Sequence, residues 1–225
     1  MRFYSIHIFL IAAIFAFVSS AVDAQSPAVL DDTDVQSWHD VQLSLGLNRS
    51  VDLFAGGTIW FGKDISRIQE EKGAFGVNFK LSPKISFAPY FSIQRSRNSL
   101  GTFVPEKRIN LRLTYKFPYK KFGLTTRANY EYRFRKVGSN WRVGTSVTVE
   151  KAIPQLNISG LKLFATEEPF YVSLRNSFSR NRLSFGVTKS VNQHLSLDIY
   201  YMRQDDSVTH PALIHAIGTS WKIKL

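Results

Sequence analysis

Apolar and polar residues alternate without exception along Ile109-Asn110-Leu111-Arg112-Leu113-Thr114-Tyr115-Lys116-Phe117. Every odd position of this stretch is apolar, every even position is polar, and Arg112 and Lys116 are charged. Successive side chains of an extended strand point to opposite faces, so a period of two produces one apolar face and one polar face. The stretch therefore predicts a β-strand that lies between an apolar environment and a wet, basic one.

Similar alternation marks eleven segments of the chain. They are residues 38–47, 51–61, 75–81, 85–93, 108–117, 122–135, 141–149, 161–170, 180–189, 194–203 and 213–225. Because single-chain bacterial barrels usually have an even number of strands, we predict about twelve, with about ten as the alternative. Pro89 lies inside one pattern and removes a ladder donor, so we expect a bulge or a break in pairing there.

The polar faces of these segments carry too many charges for a dry protein core. Charged groups that leave bulk water need residual water or each other, and the lumen of a barrel offers both. A closed sheet also leaves no unpaired backbone edge in hydrocarbon. We therefore predict an all-β fold, an antiparallel up-and-down transmembrane β-barrel, in preference to a soluble sandwich.

The N-terminal residues have the pattern of an export signal. Arg2 precedes an uncharged apolar run over residues 8–18, and Val22-Asp23-Ala24 forms a small-x-small site before Gln25. The apolar run is too short to span a bilayer as a helix. We predict a cleaved signal peptide over residues 1–24, a flexible acidic lead-in over 25–36 and the barrel domain over 37–225.

The C-terminal residues indicate the destination of the chain. The last segment places one set of side chains on a single face, namely Ile217, Thr219, Trp221, Ile223 and Leu225. This pattern resembles the signal read by the outer-membrane assembly machinery of bacteria. We therefore expect a bacterial outer-membrane protein whose partners are this machinery, the membrane lipid and lipopolysaccharide. Aromatic residues near many strand ends suit the girdles at the two membrane interfaces.

The amino-acid composition argues against several classes of function. The chain has 29 Lys and Arg against 17 Asp and Glu, but the basic residues form no run, so we expect no nucleic-acid partner. It has no cysteine, which excludes disulfides and thiolate metal sites. No phosphate-binding loop or dinucleotide fingerprint is present, and the histidine spacing suits no metal site. We therefore predict no cofactor and no metal.

The strongest candidate site lies on the polar faces of the predicted strands. Same-face residues on adjacent antiparallel strands lie close together, so the charges of neighbouring segments would meet in the lumen. The lumen-lining candidates are Arg108, Arg112, Lys116, Arg127, Glu131, Arg133, Arg142, Glu150 and Arg182. Such a set would line an anion-binding pore or, as the alternative, form a network that plugs and stabilises the barrel.

A second group lies where two predicted strands meet at a loop. Arg180 would pair there with Glu167 or Glu168 at the rim of the barrel. Exposed ion pairs of this kind contribute little to stability. We therefore treat these three residues as rim ion-pair candidates with a structural role.

Few features of the sequence indicate an enzyme. Outer-membrane barrels include lipid hydrolases that use Ser with His and a carboxylate, and His215 would project from the outward face of the last strand. No serine lies in a nucleophile motif, however, and no second group is forced near His215. We therefore expect no catalytic residues.

Several local motifs resemble those of a bacterial family, domain of unknown function 2490. They are Trp38, Glu167-Glu168-Pro169-Phe170-Tyr171, Phe178-Ser179-Arg180-Asn181-Arg182 with Gly186 beyond it, and Tyr200-Tyr201-Met202-Arg203-Gln204. Their order is more specific than any one of them. The resemblance spans roughly residues 35–225. It implies an outer-membrane barrel, and it implies no activity and no catalytic residues.

Three functional hypotheses remain open. The first is a narrow conduit for small, anionic solutes through a basic polar lumen. The second is a structural or surface-binding barrel with a plugged lumen and long functional loops at residues 63–71, 94–107 and 203–211. The third is a lipid-modifying hydrolase of the outer membrane.

Overall fold

A computed structural model describes residues 32–98, 100–154 and 158–225. The predicted signal peptide and residues 25–31 of the predicted lead-in lie outside the described residues. Among the residues described, no helix is long and apolar enough to cross a membrane.

The described chain folds into eleven β-strands that form one closed barrel. The strands are β1 (Thr33–Gly46), β2 (Val51–Gly62), β3 (Arg67–Lys80), β4 (Ile85–Arg97), β5 (Phe103–Phe117), β6 (Gly123–Phe134), β7 (Asn140–Ala152), β8 (Leu161–Val172), β9 (Ser177–Ser190), β10 (Leu195–Asp206) and β11 (Leu213–Lys224). Each predicted segment corresponds to one strand. β1 begins inside the stretch predicted as lead-in.

The predicted strand count of twelve, and its alternative of ten, are wrong. β1 and β11 pair in parallel, from Thr33 opposite Leu213 to Ser44 opposite Lys224, and this pairing closes an odd-numbered barrel. All other neighbouring pairs are antiparallel. A parallel ladder satisfies backbone N–H and C=O groups as an antiparallel one does, so closure does not require an even count.

Most residues of the predicted long loops lie in strands. β3 begins at Arg67, and β4 and β5 leave only residues 98–102 between them, so the long loops predicted at 63–71 and 94–107 are wrong. The physical reason lies in the direction of the polar side chains. Gln94 and Glu106 are buried inside the barrel, where a charged or polar residue does not signal a loop.

The expected break at Pro89 is confirmed. Pairing between β3 and β4 stops after Gly76 opposite Tyr90 and resumes at Phe79 opposite Phe87. Pro89 still lies opposite Leu111 on its other side. The missing N–H of proline therefore interrupts one of its two ladders and leaves the other intact.

The barrel has a Leu225 end and an Asp32 end. The Leu225 end holds the C-terminus and the connections 47–50, 81–84, 118–122 and 191–194. The Asp32 end holds the connections 63–66, 98–102, 135–139, 173–176 and 207–212. Because β1 and β11 are parallel, the first described residue and the last lie at opposite ends.

The barrel is apolar outside and polar inside. On β5 the outward residues Ile109, Leu111 and Leu113 are 41–48% exposed, whereas the inward residues Arg108 and Asn110 are buried. This distribution is the reverse of that in a water-soluble domain, where large apolar side chains fill the interior. The alternation of the sequence thus sorts directly into an apolar outer surface and a charged lumen.

Candidate functional site

The lumen receives charged side chains from β5, β6 and β7, which lie next to one another in the barrel. The register places Asn110 opposite Glu131, and Glu131 opposite Arg142, all pointing inward. The other lumen-lining candidates, Arg108, Arg112, Lys116, Arg127, Arg133, Glu150 and Arg182, also lie on inward-facing positions of their strands. The two-residue period explains this common direction.

Glu131 is the centre of the first ion-pair cluster. Its Oε2 lies 2.8 Å from Arg142 Nη2 and 3.1 Å from Arg108 Nη1, and its Oε1 accepts a hydrogen bond of 3.1 Å from Asn129. Glu131, Arg142 and Arg108 are only 6–7% exposed. A carboxylate that receives two guanidinium groups is fully satisfied without water.

Glu106 forms a second cluster beside the first. Arg133 donates to both of its oxygens, at 2.7 Å from Nε and 3.0 Å from Nη2, and Arg108 and Arg135 donate to it as well. Arg108 therefore links the two carboxylates. The buried residues Glu106, Arg108, Glu131, Arg133 and Arg142 are called the ion-pair plug below.

Aromatic rings pack against the plug on its other side. Trp38 and Trp60 stack with ring centroids 3.8 Å apart, and the Arg182 guanidinium lies 5.0 Å from the Trp38 ring centroid. The guanidinium carbon of Arg142 lies 4.6 Å from the Phe170 ring centroid, and that of Arg182 lies 5.0 Å from it. These rings stabilise the Arg142 and Arg182 cations through their faces.

The lumen differs toward the Leu225 end. Arg127 and Lys116 are exposed, and the side chain of Arg127 makes no hydrogen bond or ion pair with any residue that the structure describes. Arg112 donates a hydrogen bond of 2.9 Å to the Tyr90 hydroxyl and pairs with no carboxylate of the described chain. Arg112, Lys116 and Arg127 are called the basic vestibule. Glu150, also in this half, pairs with Lys162 at 3.1 Å, and both are well exposed.

The three rim candidates, Arg180, Glu167 and Glu168, do not pair with one another. Arg180 pairs with Asp206, with Nη2 and Oδ2 2.5 Å apart. Glu168 faces the lumen and lies 3.8 Å from Arg182. Glu167 points to the outside of the barrel, where Asn181 donates a hydrogen bond of 3.2 Å to it. The β8–β9 register explains the separation, because adjacent glutamates on a strand must face opposite sides.

Several members of these clusters are not among the residues predicted from the sequence. Glu106 and Arg135 belong to the plug region, and the alternation of β5 beyond Arg108 would have revealed Glu106. His39 was also missed: it lies on the outer face in contact with Ser37, and the spacing Ser37-Trp38-His39 is the signal that places both on one face of a strand. His215 contacts the Tyr201 hydroxyl at 2.5 Å. Within the described ranges, no group of three or more potential metal ligands occurs.

Closed topology, an apolar outer surface and an ion-paired interior together define a β-barrel with a charged lumen. The chain belongs to the family described as "Protein of unknown function (DUF2490)", whose model matches residues 35–213. This membership confirms the resemblance carried by the motifs of the sequence.

Other comparisons add little. No curated protein matches the chain. Among solved structures, an anion-selective porin from Comamonas acidovorans is similar with a TM-score of 0.39 and 9% identity, over 76% of this chain and 55% of the porin chain. The match thus spans little more than half the length of that porin.

Proposed function

We propose that the protein is a bacterial outer-membrane β-barrel that acts as a narrow conduit for small anions, held closed by the ion-pair plug. The large apolar residues on its outer surface suit contact with lipid. The signal-like N-terminus supports export, and the alternating C-terminal strand supports recognition by the assembly machinery. In this placement the outer surface meets membrane lipid and the rims meet lipopolysaccharide.

The observation that carries the proposal is the contrast between the two halves of the lumen. The basic vestibule offers guanidinium and ammonium groups that lack carboxylate partners among the described residues, which is an environment that attracts anions. The ion-pair plug fills the other half with charges that satisfy one another. An anion would therefore enter from the Leu225 end and meet the plug as its barrier.

The second candidate function is a structural barrel whose lumen never opens. The burial of Glu131, Arg108 and Arg142 favours it, because no water-filled gap separates their charges. The two candidates differ in one respect only: whether removal of the plug exposes an anion-selective path.

Single-channel recording in planar bilayers tests the proposal on three forms of the folded protein. The first is the wild type, the second is a plug variant with Glu131→Ser and Arg142→Ser, and the third adds Arg112→Ser and Arg127→Ser to the plug variant. Lys120→Ser with Lys121→Ser, in the connection 118–122 outside the strands, is the matched charge control on the plug variant.

We expect small or rare conductance steps from the wild type and larger, anion-selective steps from the plug variant. The third form should lose anion preference, whereas the control should keep it. A plug variant that folds and inserts but stays silent would overturn the conduit and leave the structural barrel.

A further inference from the structure

Three polar side chains meet on the outer face where the barrel closes. Ser37 Oγ lies 2.8 Å from His39 Nε2, and His39 Nδ1 lies 2.9 Å from Thr219 Oγ1. Ser37 and His39 are two residues apart on β1 and so share a face, and the parallel register places Thr219 directly opposite His39. The contact therefore depends on the β1–β11 pairing.

The order of these groups is that of an activated hydroxyl nucleophile. With its proton on Nδ1, the His39 ring donates to Thr219 and accepts the Ser37 hydroxyl at Nε2. A base within hydrogen-bond reach of a hydroxyl, and itself oriented by a third group, is the arrangement that nucleophilic catalysis requires. His39 is exposed on the outer face, so the pair is accessible from the surroundings of the barrel.

An apolar hollow lies beside His39 on the same outer face. Its volume is about 640 Å³. Gly57 and Gly73 leave space there because a Cβ at Gly73 would meet nothing within 4 Å, and one at Gly57 would meet only atoms at 3.9 Å. Side chains of neighbouring strands form its apolar walls, namely Val41, Ile59, Ile93 and Trp221.

A cation lies at the far side of this hollow. Arg95 pairs with Glu71, yet its side chain remains 59% exposed. Both residues line the hollow together with His39. The hollow therefore has apolar walls, with His39 on the β1 side, next to Ser37, and the Arg95 guanidinium on the β4 side. A lipid with an acyl chain and a phosphate matches this distribution of groups.

We infer that Ser37, His39 and Thr219 form an acyl-ester hydrolase site for membrane lipids. Ser37 is the nucleophile, His39 is the general base and acid, and Thr219 is a positioning residue that holds the His39 ring. The hollow takes the acyl chain, and Arg95 binds the phosphate of the same lipid. The inference rests on the lipid-facing outer surface proposed above, but not on conduction through the lumen.

The reaction has two steps with water as the co-reactant. Ser37 Oγ attacks the ester carbonyl carbon while His39 Nε2 takes its proton; the C–O bond to the alcohol then breaks, and His39 protonates the departing oxygen. Water next attacks the acyl-serine with His39 as base. The bond from carbon to Oγ breaks, Oγ regains the proton, and a fatty acid leaves.

The other described histidines lack this arrangement. His215 on β11 contacts the Tyr201 hydroxyl on β10, and His210 pairs with Asp32. His194 contacts Gln193 and the Lys224 carbonyl. His215 is thus a suitable control, because it is a second outward-facing histidine whose hydrogen-bonded hydroxyl belongs to a tyrosine and not to a serine.

The test uses the full folded barrel in two kinds of membrane. Vesicles of phosphatidylethanolamine and phosphatidylglycerol are one substrate, and vesicles that contain lipopolysaccharide are the other; released fatty acid is measured from each. A fluorophosphonate probe is added to the protein in detergent, and the adduct is mapped by mass spectrometry. Release from one kind of vesicle alone identifies which lipid supplies the ester.

We expect fatty-acid release and an adduct on Ser37 from the wild type. Ser37→Ala and His39→Asn should each lower the rate by about 100-fold or more, whereas His215→Asn should leave it unchanged. Thr219→Val should lower kcat with little change in KM, and Thr219→Ser should restore it. Gly73→Leu should fill the hollow and lower the ratio of long-chain to short-chain ester hydrolysis.

Two results would overturn the inference. One is a folded wild type that releases no fatty acid from either membrane and takes no probe at Ser37. The other is release that persists in Ser37→Ala. Probe labelling in detergent requires neither lipid contact nor an open lumen, so its outcome is separable from that of the conductance experiment.

Discussion

The two halves of the lumen contain the same kinds of charged residue but use them in opposite ways. Toward Asp32, Glu131 receives Arg142 and Arg108, and all three are buried. Toward Leu225, Glu150 pairs with Lys162 while both remain well exposed, and Arg127 contacts no carboxylate of the described chain. Toward Asp32 the inward charges of β5, β6 and β7 form a buried ionic network. Toward Leu225 the inward cations of β5 and β6 lack carboxylate partners among the described residues, and two further carboxylates of that half, Asp52 and Asp198, pair with Lys80 and Lys222 on other strands.

A charged side chain that points into the lumen can therefore serve either stability or ion preference, depending on its partners. In the plug, each charge has left bulk water and depends on its partners, so loss of one partner leaves an uncompensated buried ion. In the vestibule, the cations have no ion partner among the described residues, so each acts mainly through the field it creates. Stability should therefore depend on the first half and ion preference on the second.

The largest expected difference in the free energy of unfolding is between two glutamate variants, one in each half of the lumen. Glu131→Ala should lower the free energy of unfolding by about 3–5 kcal/mol because it leaves Arg108 and Arg142 without their shared carboxylate. Glu150→Ala should lower it by less than about 1 kcal/mol because the Glu150–Lys162 pair is solvated. Urea unfolding of the barrel in vesicles, followed by tryptophan fluorescence, measures both.

A double variant separates the loss of a charge from the loss of its partner. Glu131→Leu with Arg142→Met removes both charges and should recover most of the stability lost in Glu131→Ala, because apolar groups of similar volume replace a buried ion pair well. Equal losses in Glu131→Ala and Glu150→Ala would contradict the division of the lumen into two halves.

Glycines offer a second comparison. A Cβ on Gly144 would lie 2.8 Å from the Phe170 ring, which is itself buried, whereas a Cβ on Gly46 would meet only Asp52 Oδ1 at 3.6 Å. Gly144→Ala should therefore destabilise the barrel by about 1–3 kcal/mol. Gly46→Ala, at the Leu225 end, should leave the midpoint of urea unfolding nearly unchanged, and a loss as large as that of Gly144→Ala would show a packed vestibule.

A third comparison separates stability from selectivity. Arg127→Ser should change the free energy of unfolding by no more than about 0.5 kcal/mol, since Arg127 has no ion partner in the described structure. In the plug variant the same change should shift the reversal potential toward cations. If Arg127→Ser instead destabilised the barrel strongly, the Leu225 half would hold an ionic core of its own.

A change in ionic strength should have the smallest effect on selectivity and stability. Raising ionic strength from about 0.1 M to about 1 M shortens the screening length from about 10 Å to about 3 Å. Anion preference in the plug variant should fall over this range, while the urea midpoint of the wild type should move little because the plug excludes water. A strong salt dependence of wild-type stability would show that the plug is solvated.

Much of the fold follows from the sequence. The alternation over residues 109–117 predicts β5 and both of its faces, and Pro89 predicts the break between β3 and β4. The same alternation places the lumen candidates inward. The prediction fails where charges suggest loops, because a charge inside a barrel and a charge in a loop look alike along the chain. It fails again for the strand count, because alternation carries no information on how the two edges meet.

By itself, the sequence determined strand identity, strand faces and family membership, because these depend on residues two apart or on local motifs. Which charges pair across strands and how the barrel closes follow from the three-dimensional fold and not from any local pattern. The parallel register of β1 and β11 brings His39 to Thr219 across 180 positions of the chain, and the β6–β7 register brings Glu131 to Arg142. Such contacts arise from ladder register, which depends on every strand between them rather than on any one segment.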